Sequence, residues 1–341
     1  VGLLGPGEGP GVVYAYRREG EAWMLEASLR PDWPPIVPHE VGFGERVAVR
    51  GGTVLAQGSG SRVVVFRRDA AGAWSGPSTL PGRDRVVAFS LVDEETVATL
   101  REPPGGRGVE FRLEVMGLDG VVRLAVDVGY ALALAVAGET LVVSTPDGLL
   151  VGSAATGLER LPLDVVVTQA LAPVADDLVL ATARGGRYRS EGLMSLAQEG
   201  GRWSVTAFER PETSREEFQP IAVLPDWVAV GAPGDSLREA YGIGADPRQR
   251  PGPWATQGTV FLYPRAVDGR PRDEPHYLRP FDDRVGARFG AALATDGTYL
   301  FVGAPNDPLE EAIPPDASRD WASETPPPRP VGSVSVWRLQ P

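Results

Sequence analysis

One phrase recurs along this chain and constrains its fold more than any other feature of the sequence. A short β-type run leads through a turn, in most copies built around glycine, into a second run that carries tryptophan or other apolar residues. The copies, with the two that show only the opening run placed last, are 11–29, 61–80, 192–208, 109–126, 148–163, 258–265 and 332–339. Self-similarity of this kind is typical of repeat folds, so the chain is predicted to be built from one repeated unit.

A second phrase precedes the first and consists of two short β-runs joined by a tight turn. Its copies begin near residues 43, 86, 129, 168, 218 and 289. Turn pairs such as Gly51-Gly52 and Asp296-Gly297 supply the backbone angles that hairpins require. The runs are rich in Val, Leu and Ala and are too short for helices. The unit is therefore predicted to have four strands, named A to D in chain order.

Units of four strands, repeated six or seven times, predict an all-β fold: a single β-propeller over 1–341 with four-stranded antiparallel blades. Seven blades are favoured and six are the second choice, because the first unit lacks strand A and the last lacks strand D. We expect the first blade to be incomplete on its N-terminal side, with the missing strand upstream of Val1. The expected blades are approximately 1–40 (partial), 41–82, 83–126, 127–165, 166–213, 214–283 and 284–341.

Short motifs in the outer thirds of the chain resemble the FG-GAP repeat, which builds the integrin α-subunit propeller and many bacterial surface propellers. The matches are Phe289-Gly290 with 302–305 and 332–334, then 230–233 with 258–260, then Phe43-Gly44 with 61–66, which lacks the Gly-Ala-Pro. The middle units, about 83–213, match only in pattern. The resemblance implies an integrin-like, bacterial-type propeller with a role in protein binding or adhesion at the cell surface.

Composition excludes several classes of function. The formal net charge of −12 disfavours binding to nucleic acid or to anionic lipid. The chain has no cysteine, which excludes disulfides, zinc thiolates and cysteine nucleophiles. No apolar run reaches about 18 residues, so no transmembrane segment is predicted. We expect an exported protein that is periplasmic, outer-membrane-associated or extracellular.

The resemblance also implies calcium, because integrin-like propellers often carry it in an acidic loop between strands A and B. Calcium requires six to eight oxygen ligands, so several carboxylates must converge in one loop. The corresponding turns here hold at most two acids. Asp176 and Asp177 are the best remaining calcium candidates, but a plain hairpin turn is the favoured interpretation. No cofactor is expected, and calcium stays the alternative.

Two long loops between strands B and C, 234–257 and 306–331, are the candidate binding surface. Long loops in compact folds often carry function, and neighbouring units would place these two side by side. The D–A segment 279–288 is expected to join them on the same propeller face. The candidate partner-binding residues are Trp254, Trp321, Asp235, Arg238, Asp307 and Asp320. Exposed tryptophans are typical binding anchors. The alternative is that the tryptophans pin their loops to the propeller and that the acids are solvated.

Enzymatic motifs are not found, so the sequence favours a non-enzyme without deciding the question. The two histidines, His39 and His276, are expected to be turn or surface residues rather than catalysts. The leading hypothesis is a non-catalytic protein–protein interaction or structural module of the bacterial cell surface or envelope, binding a protein partner or an envelope assembly. A carbohydrate-binding, lectin-like propeller is the first alternative. A propeller-scaffold glycan hydrolase or lyase is the second. The fold cannot choose among them, because function depends on the site.

Overall fold

The computed structural model consists of antiparallel β-sheets. It describes residues 2–3, 11–20, 22–31, 43–44, 46–57, 62–82, 84–103, 105, 110–162, 165–175, 178–185, 191–199, 202–209, 219–234, 258–272, 275–279, 287–305 and 333–339. All regular structure in this part of the chain is β-strand. No helix in it is long and apolar enough to cross a membrane. The chain divides into two compact units, Val1–Pro162 and Leu163–Pro341.

Four sheets make up the first unit, and the strands of each follow one another in chain order. The first sheet holds β1 (Gly2–Leu3), β2 (Val12–Glu19) and β3 (Ala22–Leu29). The second holds β4 (Arg46–Arg50), β5 (Thr53–Gln57), β6 (Val63–Arg68) and β7 (Trp74–Thr79). The third holds β8 (Arg85–Leu91), β9 (Thr96–Glu102), β10 (Phe111–Gly117) and β11 (Val122–Gly129). The fourth holds β12 (Ala133–Ala137), β13 (Thr140–Thr145), β14 (Gly148–Ser153) and β15 (Gly157–Pro162).

Three sheets make up the second unit, again with their strands in chain order. The fifth sheet holds β16 (Val165–Ala175), β17 (Leu178–Gly185), β18 (Glu191–Glu199) and β19 (Arg202–Glu209). The sixth holds β20 (Gln219–Val223), β21 (Trp227–Ala232), β22 (Thr259–Pro264) and β23 (His276–Leu278). The seventh holds β24 (Ala292–Thr295), β25 (Tyr299–Ala304) and β26 (Ser333–Arg338).

These sheets confirm the predicted β-propeller with four-stranded antiparallel blades, but they correct the predicted number of blades. Five sheets are complete four-stranded blades, instead of the seven or six expected. The first and seventh sheets have three strands each in the described residues. The β-runs of these two sheets were identified from the sequence, but local patterns do not specify whether a further strand pairs with either sheet.

Apolar side chains fill the seams between successive sheets of the first unit. Leu55 and Val65 of the second sheet pack with Val97 and Met116 of the third. The third and fourth sheets bury a further cluster of their own. The first strands also touch in series, β4 against β8 and β8 against β12. This is the contact that the inner strands of propeller blades make, and it explains the small alanine side chains of β12.

The second unit is packed in the same way. The seam between the fifth and sixth sheets buries Leu180 and Leu193 against Val230 and Phe261. A second cluster joins the sixth and seventh sheets, with Phe289 at its edge. β20 contacts both β16 and β24, so the first strands again lie side by side. These buried seams fix the ends of the strands from which the connecting loops leave.

Candidate functional site

The partner-binding residues predicted from the sequence all lie outside the described residues. They are Trp254, Trp321, Asp235, Arg238, Asp307 and Asp320. The calcium candidates Asp176 and Asp177 also lie outside them. The binding roles given to these positions stay predictions. What the structure does describe is the set of strands on which the two long loops begin and end.

The long loop of the sixth sheet joins two strands that form a regular hairpin. β21 and β22 pair without a shift, from Trp227 opposite Pro264 to Ala232 opposite Thr259. Ala232 and Thr259 are both buried, at 2% and 0% exposure. The loop therefore starts and ends on backbone that is held by strand pairing and by burial.

The long loop of the seventh sheet has the same kind of base. β25 and β26 pair without a shift from Tyr299 opposite Arg338 to Ala304 opposite Ser333. Ala304 is buried in the core that the sixth and seventh sheets share. The two long loops thus leave from equivalent places on two sheets of the second unit.

The base of the 234–257 loop lies against the backbone that leads into the seventh sheet. Gly258, directly before β22, has φ +84°, and a Cβ atom there would overlap the carbonyl oxygen of Phe289. Gly290 has φ +86°, and its Cβ would lie 2.8 Å from the oxygen of Thr259 and 3.3 Å from the Cα of Gly231. Only glycine allows the two backbones to approach this closely at such angles.

The same contact joins the first and second sheets. A Cβ atom on Gly11 would overlap the carbonyl oxygen of Phe43 and lie 2.9 Å from its carbonyl carbon. Phe43 is fully buried. The Phe-Gly pairs also make equivalent hydrogen bonds, since Gly44 N donates to Gln57 O and Gly290 N donates to Gly303 O, both at 3.1 Å. The Phe-Gly dipeptide is therefore a recurring joint between sheets.

A buried arginine holds the B–C end of the third sheet. Arg101 is 2% exposed, and its Nε lies 2.9 Å from Oε2 of Glu114. Its Nη2 donates to the carbonyl oxygen of Pro81 at 2.8 Å. Pro81 belongs to the segment that links the second and third sheets, and the guanidinium lies against the backbone of Gly82. This group, which we call the Arg101 cluster, has a structural role because its donors are engaged inside the protein.

The opposite end of the strands, where the A–B and C–D turns lie, carries two ion pairs between sheets, one exposed and one partly buried. Both terminal nitrogens of the Arg67 guanidinium, Nη1 and Nη2, bind the carboxylate of Glu95, at 2.9 and 2.6 Å. Arg68 binds Glu26 of the first sheet through Nε at 2.9 Å and Nη2 at 2.5 Å. Each pair bridges two neighbouring sheets, so these charges join blades.

Two carboxyl groups at this end have shifted pKa values. The hydrogen bond from Arg68, assisted by its charge, lowers the pKa of Glu26 below its ordinary value of 4.5. For Asp93, partial burial raises the pKa, but hydrogen bonds from Glu95 and Thr96 outweigh it and lower the pKa below 3.8. Both groups are therefore charged at neutral pH and serve the structure.

The pair of Glu26 and Arg68 gives a testable dependence on pH. A carboxyl group whose pKa is lowered by folding stabilises the fold above its unfolded pKa, and that stabilisation is lost as pH falls through the folded pKa. Glu26→Gln is therefore expected to lower stability at pH 7, with a deficit that shrinks below pH 4.5. Urea unfolding of both proteins across this range measures it. Glu139→Gln, at an exposed turn, is the control. A deficit that does not change with pH would contradict the assignment.

Two sequence interpretations concern turns that the structure describes. Asp296 accepts hydrogen bonds from the backbone of Thr298 and Tyr299, each at 2.8 Å, as expected for a hairpin turn. His276 begins β23 on the surface, with its ring 5.4 Å from that of Trp227, as expected for a surface histidine. Within the described ranges, no three acids or histidines are grouped so that they could hold a metal ion.

Sequence reasoning missed the Arg101 cluster. In β9 and β10, charged residues occur near the strand ends, which usually indicates a solvated face. In a propeller both faces of an interior blade pack on neighbours, so a charged position there is buried and needs a partner. The one available signal was an arginine and a glutamate on adjacent strands, Arg101 and Glu114.

The strand arrangement defines this protein as a β-propeller, and solved structures agree. Sqt1 from Saccharomyces cerevisiae is similar with a TM-score of 0.50 and 13% identity, over 90% of this chain and 80% of that one. A protein from Lactobacillus plantarum has a TM-score of 0.50 and 13% identity, over 79% and 82%. Apo AztD from Citrobacter koseri has a TM-score of 0.48 and 13% identity, over 86% and 73%.

Identities this low show a shared fold and nothing more. No family model matches the chain, and no curated protein matches it. The β-propeller is therefore confirmed, whereas the FG-GAP type of its repeats is not.

Proposed function

We propose that this chain is a non-catalytic protein–protein interaction or structural module, which binds its partner through the long B–C loops 234–257 and 306–331. A propeller is compatible with such a role. The partner is a protein or an assembly of the bacterial cell surface or envelope, and the chain works there as an exported protein without a cofactor. Trp254 and Trp321 are the proposed anchors, with Asp235, Arg238, Asp307 and Asp320 around them.

One observation carries the proposal: the two loops leave from fixed strand ends on two sheets whose backbones touch. Their strands pair regularly up to the buried residues Ala232 and Ala304. Gly258, at the base of the first loop, lies against the backbone of Phe289 at the start of the seventh sheet. Gly290 N in turn donates to the oxygen of Gly303, next to the base of the second loop. Loops held at fixed ends on a rigid scaffold are the usual place for binding residues. Two such loops side by side can form one continuous surface without any change in the sheets.

We also propose that the repeats are of the FG-GAP type. The support is the joint between sheets, since Phe43 and Phe289 are both buried and each lies against a glycine that precedes a strand C. Phe43 and Phe289, which belong to the motifs that resemble the FG-GAP repeat, therefore have the same structural role in two separate repeats. This repeat type agrees with a bacterial surface protein but does not identify the partner.

Affinity capture with matched baits tests the binding role. In one bait, 235–257 and 306–331 are both replaced by short Gly-Ser linkers, which leaves the paired strands intact. A control bait carries the same linker in the exposed turn 154–156 of the fourth sheet. From a cell-envelope extract, we expect a partner that binds the full chain and the control bait and is lost about tenfold or more with the loop replacement.

Single substitutions then locate the contact. Trp254→Ala and Trp321→Ala should each weaken capture of that partner while leaving the melting temperature unchanged, because truncated interface anchors cost binding energy rather than fold stability. Equal capture by all baits would show that the loops do not bind. If no bait captured a protein, the interaction role would be wrong and a glycan array would test the carbohydrate-binding alternative.

A further inference from the structure

The seventh sheet ends on a strand whose outer edge is open. In the five complete sheets, the third strand pairs on its outer side with a fourth strand. In the seventh sheet β26 holds the place of that third strand, and in the described residues it pairs with β25 alone. No residue of β26 is buried, whereas β6 and β22, which hold the same place in complete sheets, are mostly buried. Among the described residues, β26 therefore lacks the strand that would cover it.

The backbone of β26 presents hydrogen-bonding groups to this open edge. Gly290 N and Ala291 N both donate to Gly303 O, at 3.1 and 3.2 Å, so Gly303 directs its backbone groups toward β24. Because these groups point to alternate sides along a strand, the two neighbours of Gly303 in β25 direct theirs toward β26. Val334 lies opposite Gly303, and Val336 lies two residues further along β26. The N–H and C=O groups of both valines therefore point away from β25.

The last strand of every other sheet is protected against pairing with a further strand. β3, β7, β11 and β19 have shifts in register against the strand before them, and β7 also contains Pro77. β15 carries the exposed residues Glu159 and Arg160 at its centre, and β23 has three residues. Bulges, prolines, charges and short strands are the usual means of preventing edge pairing. β26 instead pairs regularly with β25 over all six of its residues, so its outer edge is suited to pairing.

The other segments of this sequence are poorly suited to pair with that edge. The three longest segments outside the described ranges are 32–42, 235–257 and 306–332. Each of them contains at least three prolines. Proline lacks the N–H group that a strand ladder needs, so these sequences disfavour a strand. A second copy of the chain, in contrast, presents an edge of the same length with the same regular spacing of donors and acceptors.

We propose that β26 pairs with β26 of a second copy of this chain, antiparallel and about a two-fold axis at Ser335. In this register Val334 of each copy lies opposite Val336 of the other, and each of these pairs exchanges both backbone hydrogen bonds. Val336, which is 45% exposed, then packs beside a second β-branched side chain, which is a favourable cross-strand pair. The two Arg338 side chains lie at opposite ends of the joined strands, so these like charges do not meet.

The pairing joins two three-stranded sheets into one sheet of six strands with two-fold symmetry, the commonest symmetry of protein oligomers. The contact area of one strand pair is small, so we expect a dimer that dissociates in the micromolar range rather than a permanent one. The pairing uses backbone groups of β26 and does not require the residues of the long loops. It therefore stands independently of the proposed loop-binding role.

Sedimentation equilibrium of the full chain, from about 1 to about 200 µM, tests the proposal, and we expect a reversible monomer–dimer equilibrium. Val336→Pro removes an N–H group that bonds only the second copy. It should weaken the dimer about tenfold or more and leave the melting temperature at low concentration nearly unchanged. Val336→Thr is the matched control, because threonine keeps the N–H group and the β-branched shape, and it should dimerise like the unsubstituted chain.

Hydrogen exchange needs no substitution and decides the question if Val336→Pro does not fold. The amides of Val334 and Val336 should exchange fast at about 1 µM and become protected at about 200 µM, while the amides of β11 keep their rates. A chain that stays monomeric at every concentration would disprove the pairing. Dimerisation that persists in Val336→Pro, or protection in β11 instead of β26, would place the contact on another surface. The dimer should persist when both long loops are replaced, which separates this inference from the loop proposal.

Discussion

Replacing Gly258 with alanine is expected to destabilise the protein by about 3–5 kcal/mol, or to prevent soluble folding. The new Cβ atom would overlap the carbonyl oxygen of Phe289 and lie 2.5 Å from its nitrogen. Neither atom can move away easily, because both belong to backbone beside a buried ring. The φ of +84° adds strain of about 1–2 kcal/mol for any residue with a Cβ atom.

Gly297 provides the matched control for this substitution. It has φ +89°, and no heavy atom lies within 4 Å of the position its Cβ would take. Gly297→Ala therefore carries the strain without the overlap and should cost about 1–2 kcal/mol. Urea unfolding followed by tryptophan fluorescence measures both. Equal losses in the two variants would mean that the joint between the sixth and seventh sheets does not depend on close backbone approach.

Gly11→Ala is a second test of the close backbone approach between sheets, for the case in which Gly258→Ala does not fold. Its Cβ atom would overlap the oxygen of Phe43, but Gly11 is not among the glycines with positive φ. The expected loss of about 1–3 kcal/mol therefore comes from overlap alone. A loss of stability between those measured for Gly297→Ala and Gly258→Ala would also agree with a shared role of the Phe-Gly pairs. No loss of stability would contradict that role.

The strands and turns of this fold were predictable because they depend on local sequence. Gly51-Gly52 joins β4 to β5, and the turn at Asp296 joins β24 to β25, where turn chemistry indicated them. The repetition of the two phrases then predicted that these hairpins combine into four-stranded units. Each step used residues close together in the chain, and five of the sheets confirm the four-stranded unit.

The number of complete blades was not predictable in this way. Whether a fourth strand pairs with the first or seventh sheet depends on contacts between distant parts of the chain. Loop-closure entropy and edge pairing decide such contacts, and neither leaves a pattern in the strand itself.

The place of the two long loops in the chain was predictable, whereas their role as a binding site stays a prediction. Loop length alone indicated 234–257 and 306–331, and the structure places the ends of these loops on two touching sheets. That contact depends on Gly258, Phe289 and Gly290. The sequence analysis singled out these residues because they resemble the FG-GAP repeat, and it did not predict that they touch. The binding roles given to the side chains within the loops, including Trp254, stay predictions.

Replacing Arg101 with methionine is expected to cost about 3–5 kcal/mol, because it removes one member of a buried ion pair. Glu114, whose side chain is 15% exposed, would keep only Arg112, at 3.6 Å. The carbonyl oxygen of Pro81 would lose its donor as well. Arg101→Lys restores the charge but not the planar fork that reaches Glu114 and Pro81 together, so its loss should be intermediate.

Arg67→Met is the matched control, since it also removes an arginine that binds a carboxylate of the third sheet. Arg67 and Glu95 are 45% and 65% exposed, and such surface pairs contribute about 0–1 kcal/mol. The difference between the two variants thus measures the effect of burial on one kind of ion pair. Similar small losses in both would show that the Arg101 cluster does not hold the second and third sheets together. The apolar seam around Leu55 and Val97 would then be enough to do so.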